Sequence, residues 1–216
     1  MLLSDKKLKI MKLYISSIGF GSESEFLISY AKNVGKRLGL IWNAFDIVGG
    51  EATEKTSEFS TQLSEFGFEV EVLDLRNYYE NQDALRQKCS ELDGVWVCDG
   101  STFRLRQSMS QSGFDDILVE ELVNREDFLY ASEGAGSKVL GADLGYLKDL
   151  ESNGDFSFET LDEVHSDGLN IIDFSIITGY DSEFLKSEVN SKAVKHCLDN
   201  KILFLALSDG EVILEK

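Results

Sequence analysis

A chain of 216 residues, 43% hydrophobic with 14 phenylalanines, is long and apolar enough to bury the core of one α/β domain. Its 39 acidic against 21 basic residues leave a net charge of −18; that total repels a phosphate backbone, no Lys/Arg-rich stretch offsets it, and no nucleic acid is expected as a partner. No apolar run reaches the roughly 18 residues of a spanning helix, and MLLSDKKLKI has its basic residues after its apolar ones, so neither a membrane span nor a signal peptide is expected.

In chain order, short β-branched runs alternate with amphipathic stretches. Residues 1–10 are expected to be an N-terminal extension, with a single domain over 11–216. KLYISS (12–17) reads as a strand and 25–34 as a helix. RLGLIWNAF (37–45) is a second strand, and a loop through Gly49-Gly50 leads to a helix over 55–66. The alternation in FEVEVLDL (68–75) predicts a strand near a sheet edge. A helix over 81–92 precedes GVWVCDG (94–100), a continuous apolar run that suits a buried parallel strand. Helices over 102–111 and 114–125 follow, then FLYAS (128–132) and a small-residue turn into another helix. Residues 142–168 are polar and lack periodicity, which predicts an excursion over the sheet. IIDFSIITG (171–179) is a buried strand, 187–199 a helix, and 202–215 a terminal hairpin turning at Asp209-Gly210. Such alternation predicts an α/β fold of three layers, a doubly wound, mostly parallel sheet with helices on both faces.

Ligands of such sheets gather at the carboxyl ends of the strands. Three segments therefore matter: CDGSTF (98–103), SEGAG (132–136) and TGYDS (178–182). A strand, a sharp turn of small residues and a helix are also the arrangement that mounts a nucleophile in a G-x-S-x-G elbow. In SEGAG the nucleophile's place falls on Gly134. Cys89, Cys98 and Cys197 are odd in number and lack C-x-x-C spacing, which suits a reducing cytoplasm and argues against a disulfide framework. With only His165 and His196 besides, no metal or cofactor is expected.

Taken together, MKLYISS, LIWNAFD, VWVCDGSTFRLRQSM, LYASEGAGSKVL and LNIIDFSIITGYDSE resemble, in order and spacing, the peptidase E (aspartyl dipeptidase) family of serine peptidases. The likeness runs from Met11 to the C-terminus and implies a class I glutamine-amidotransferase-like fold. It also implies that Gly134 occupies the family's serine position and Gly179 its histidine position, with Asp209 a candidate for the acid. Asp99 and Ser101 depart from the family's GGNT segment, near the donors that would hold an oxyanion. Acyl transfer by this route needs a hydroxyl and a base to take its proton; glycine supplies neither. The expectation is a catalytically inactive relative whose cleft still takes a peptide or a small acidic ligand through Asp99, Gly100, Ser101, Glu133, Ala135 and Asp181.

The alternative is an active hydrolase with a relocated nucleophile. Ser132 is the first candidate, though serine at that place also suits a helix cap. Glu133 is either a general base for water or an acidic residue favoured at a helix start. Cys98 is either a thiol nucleophile or an inert core residue. Arg104 and Arg106 either grip a carboxylate or pair with the many acids of the surface. A third reading is a purely structural role, with Trp42, Phe103 and Tyr180 filling the cleft.

Overall fold

The computed structural model describes residues 11–45, 50–148, 151, 165–182 and 187–215. The expected extension 1–10, part of the Gly49-Gly50 loop and most of the 142–168 excursion lie outside them. In chain order the elements are β1 (Lys12–Ser16), α1 (Ser24–Asn33), β2 (Arg37–Ile41), α2 (Gly50–Glu65), β3 (Glu69–Val72), α3 (Gln82–Glu91), β4 (Gly94–Val97) and α4 (Thr102–Ser112). They continue with α5 (Phe114–Glu120), β5 (Leu129–Glu133), α6 (Ala135–Lys138), β6 (Ser175–Tyr180), α7 (Ser187–Asn200), β7 (Phe204–Ser208) and β8 (Val212–Glu215).

Six strands form the main sheet in the order β3-β2-β4-β5-β1-β8. Every pairing is parallel except that of β8, which runs antiparallel to β1. The burial of each strand follows from its place. All residues of β4 and β5, in the middle, are buried, as strands covered on both faces must be. β3, whose sequence alternates, is at the edge with Glu69 and Val72 exposed.

Successive side chains of a strand point to opposite faces, and the two faces have separate cores. Leu13, Ile15, Val95, Val97 and Tyr130 pack with Leu85, Leu105, Met109 and Ile117 of α3, α4 and α5. Tyr14, Leu38, Leu40, Trp96 and Ala131 pack with Leu27 and Tyr30 of α1 and Leu63 of α2. The result is the expected three-layer α/β arrangement.

Several expected strands are shorter in the structure, the 68–75 strand spanning only Glu69–Val72 and the 94–100 run only Gly94–Val97, and for two others the hydrogen bonds show why. The 37–45 strand stops at Ile41, because buried Asn43 turns aside to bridge the next loop: its Nδ2 donates to Asp74 (3.0 Å) and its Oδ1 accepts from the Leu75 N–H (3.1 Å). The 171–179 strand begins only at Ser175, since the Ile171 and Ile172 amides bond back to the Leu140 carbonyl at 2.9 and 3.2 Å.

The terminal hairpin is a correction. The chain does turn at Asp209-Gly210, closed by a bond from the Glu211 N–H to the Ser208 carbonyl (3.1 Å). Its two arms, however, do not pair with each other. β7 runs parallel to β6 in a second, two-stranded sheet, and β8 completes the main sheet. The apolar side chains explain the parting: Phe204 and Ala206 pack on a satellite core with Phe103, Tyr146 and Ile177, whereas Val212 and Leu214 pack on the α1/α2 face.

Candidate active site

β5 ends at Glu133 and α6 begins at Ala135, leaving one residue, Gly134, to make the turn. Its backbone is at φ 48°, ψ −112°, a conformation that costs a residue with a Cβ about 1–3 kcal/mol and that glycine adopts freely. The sharp strand-to-helix turn read from the sequence is therefore present, followed by a helix of a single turn.

The space in front of Gly134 is taken. β4 and β5 are parallel neighbours with Val97 opposite Ser132, so Asp99 leaves its strand directly across from the elbow. Its Oδ1 accepts the Ala135 N–H at 2.7 Å. That amide, one residue after the turn, is the donor an acyl-transfer elbow turns toward an oxyanion. A Cβ built on Gly134 would lie 1.8 Å from the same Asp99 oxygen.

Glu133, 6% exposed, points back beneath the turn. Its Oε2 accepts the Gly19 N–H at 2.6 Å, and a second backbone bond comes from Asp99. Burial is the main cause that lifts this carboxyl to about 7, helped by the Asp99 charge and only partly opposed by the two N–H donors. Among the described residues, neither Asp99 nor Glu133 has a cationic partner.

Gly179 sits at a bulge of β6, between Thr178 and Tyr180, with φ 67°. Its N–H donates to Ser17 Oγ (2.8 Å) and its carbonyl accepts from Asn190 Nδ2 of α7 (2.5 Å). Ser17 also receives the Gly134 N–H on its carbonyl (3.2 Å). One residue after β1 thus joins the two glycines that the sequence singles out. Ser17 lies at a carboxyl strand end, where that rule already directs attention; its role as a bridge has no sequence signal.

The remaining candidates fall in three places. Gly100 and Ser101 stay with Asp99 at the mouth of β4, where the Ser101 N–H bonds the Ala44 carbonyl (3.0 Å) and its Oγ caps α4. Asp181 is exposed, with φ 58°, next to Ser182, whose hydroxyl donates to Asp209 Oδ2 (2.7 Å). Ser132 is brought under the elbow rather than onto it. Its buried hydroxyl shares a 3.0 Å bond with Ser137, which in turn donates to the Ser16 carbonyl (2.8 Å). Ser132 is a strand residue and does not cap α6, whose N-cap is Gly134.

Cys98 is fully buried, and burial first, then the charges of Glu133 and Asp99, push its thiol well above the ordinary range. Arg106 is tied to Asp115 (2.7 Å) and to the Asp167 carbonyl (3.1 Å), the pairing reading of that residue. Neither His165 nor His196 has a side-chain hydrogen bond among the described residues. Phe103 belongs to the satellite core, while Trp42 is half-buried and stacks on Phe45 at 4.6 Å.

One participant has no sequence signal at all. Glu151, from the aperiodic excursion, inserts its carboxylate at the start of α4. The Thr102 N–H (2.8 Å) and hydroxyl (2.5 Å) bond it, and Lys138 of the elbow helix pairs with it at 3.5 Å. It fastens the segment after β4 to the segment after β5.

An α/β sheet with a sharp glycine turn at the end of a central strand defines the class of fold: three-layered, mostly parallel and glutamine-amidotransferase-like. Comparison with known proteins narrows it. The profile of peptidase family S51 matches residues 23–215, and the chain belongs to that family. It is 28% identical over 132 residues to the uncharacterized peptidase Lmo0363 of Listeria monocytogenes, covering 61% of this chain and 60% of that one. It is 27% identical over 120 residues to the uncharacterized peptidase Lin0382 of Listeria innocua, covering 56% and 54%. The matched part thus spans less than two thirds of the length of either relative. Among solved structures, a Listeria monocytogenes EGD-e protein whose name assigns it to peptidase E superposes with a TM-score of 0.72 at 24% identity, covering 96% of this chain and 98% of that one. A peptidase from an acI-B1 Actinobacterium gives 0.65 at 15%, covering 96% and 84%. These two likenesses bear on the fold.

Proposed function

We propose that this peptidase-E-like protein is a pseudoenzyme: it keeps the elbow of a serine peptidase but performs no serine-type acyl transfer, and its residual cleft serves for binding. The observation that carries this reading is the carboxylate of Asp99 lying where a side chain of residue 134 would stand, on the Ala135 N–H. Serine-type attack needs a hydroxyl in that place and a base to take its proton. Gly134 and Gly179 supply neither, and no imidazole is hydrogen-bonded nearby among the described residues.

Of the two expected ligand classes, a peptide is favoured over a small acidic molecule, since an incoming carboxylate would meet Asp99 and Glu133 without a cation to offset them. The three cysteines are free and buried, which supports a place in the cytoplasm. Among the described residues no helix is long and apolar enough to cross a membrane.

Incubation with Asp-X dipeptides and with a fluorophosphonate probe tests the reading. Neither turnover nor covalent labelling is expected. Labelling that maps to Ser132 and disappears in Ser132→Ala would establish the relocated-nucleophile alternative instead.

A further inference from the structure

We propose that Asp99 and Gly134 are a reciprocal pair: the side chain at 99 fills the space a side chain at 134 would need, so the elbow accepts a serine only when position 99 is emptied. The proposal rests on the reading of the elbow as a vacated nucleophile site.

The contact is not a grazing one. A Cβ on Gly134 would lie 1.8 Å from Asp99 Oδ1, 2.0 Å from its Cγ and 2.6 Å from its Cβ. Rotating the carboxylate about its own axis leaves the last two overlaps in place. Relief requires the whole side chain to swing away, which breaks its bond to the Ala135 N–H and leaves that donor without its acceptor. The carboxylate also lacks an attractive place to go. Its neighbour Glu133 is another acid, and neither is paired with a cation among the described residues. Steric overlap and the crowding of the two acids oppose a side chain at 134, and both vanish when Asp99 is replaced by glycine; the Ala135 N–H then stays without its acceptor and the backbone strain at 134 remains.

The experiment is a double-mutant cycle on the full chain, comparing urea midpoints of wild type, Asp99→Gly, Gly134→Ser and the double variant. Gly134→Ser is expected to lower the midpoint sharply, and the double variant to lose clearly less than the sum of the two single losses, since the overlap is gone while the lost acceptor and the strain at 134 remain. Equal, additive losses in the double variant, or a Gly134→Ser protein as stable as wild type, would overturn the pair. If Gly134→Ser does not fold, the double variant decides: recovery of soluble, cooperatively unfolding protein supports the proposal, and its failure to fold overturns it. The Ala135 amide resonance gives a second readout, expected to move in Asp99→Gly and to stay close to wild type in Asp99→Asn, which keeps an acceptor oxygen. An unmoved resonance in Asp99→Gly counts against it. Dipeptide turnover by wild type would contradict the pseudoenzyme reading and leave this coupling standing; additivity would do the reverse.

Discussion

Glu151→Ala is expected to cost about 3–5 kcal/mol of stability, the usual loss when one member of a buried ion pair is removed. The carboxylate and its partner Lys138 are 10% and 15% exposed, so little water is at hand to replace either group. Alanine would strand the Lys138 ammonium, the Thr102 N–H and the Thr102 hydroxyl together. It would also remove the negative charge at the positive end of α4, an eleven-residue helix. The reverse change, Lys138→Met, is expected to cost less, about 1–3 kcal/mol, because Thr102 still satisfies the carboxylate with two hydrogen bonds. Urea midpoints of the two variants check both the size and the order of the losses. A Glu151→Ala protein within about 1 kcal/mol of wild type would mean the tie between the two segments is only a surface contact.

Glu133→Gln is expected to act in the opposite direction and only at higher pH. The carboxyl is lifted from 4.5 to about 7 by burial and by Asp99, so the fold favours its neutral form. The stability this group contributes is complete below about pH 4.5 and is lost as pH rises through about 7. Glutamine is neutral throughout and still offers an oxygen to the Gly19 N–H. Relative to wild type, the variant should be nearly unchanged near pH 4 and more stable by about 3 kcal/mol near pH 8. Thermal or urea unfolding across that range measures the difference, and parallel curves with no divergence would show that Glu133 titrates as an ordinary carboxyl.

The legible parts of this molecule were those governed by periodicity. The run VWVC announced a fully buried central strand, and the alternation of EVEV an edge strand; β4 and β3 occupy those places. Small residues in SEGAG announced the elbow, and Gly134 makes that turn. What periodicity cannot convey is partner choice. The apolar residues of 202–215 look alike on either side of Asp209-Gly210, yet one arm joins β6 and the other β1, because the two packing surfaces that separate them are assembled from distant parts of the chain. Asp99 illustrates a second limit. Its departure from the family segment was visible, but that it would reach across and fill the place opposite Gly134 depends on the register of β4 against β5. Glu151 marks a third, since an acidic residue in a segment without pattern carries no sign that it will be drawn under the end of a helix.

Ser17 gives the two sides of the cleft a shared fate. The amide hydrogens of Gly134 and Gly179 both end on this one residue, the first on its carbonyl and the second on its hydroxyl, and the hydroxyl is itself anchored to the Leu207 carbonyl at 3.0 Å. Local opening at the end of β1 must release both hydrogens to solvent deuterium at a common rate, as members of a single cooperative unit. Trimming only the hydroxyl, in Ser17→Ala, should uncouple them, hastening exchange at Gly179 while Gly134 keeps its protection.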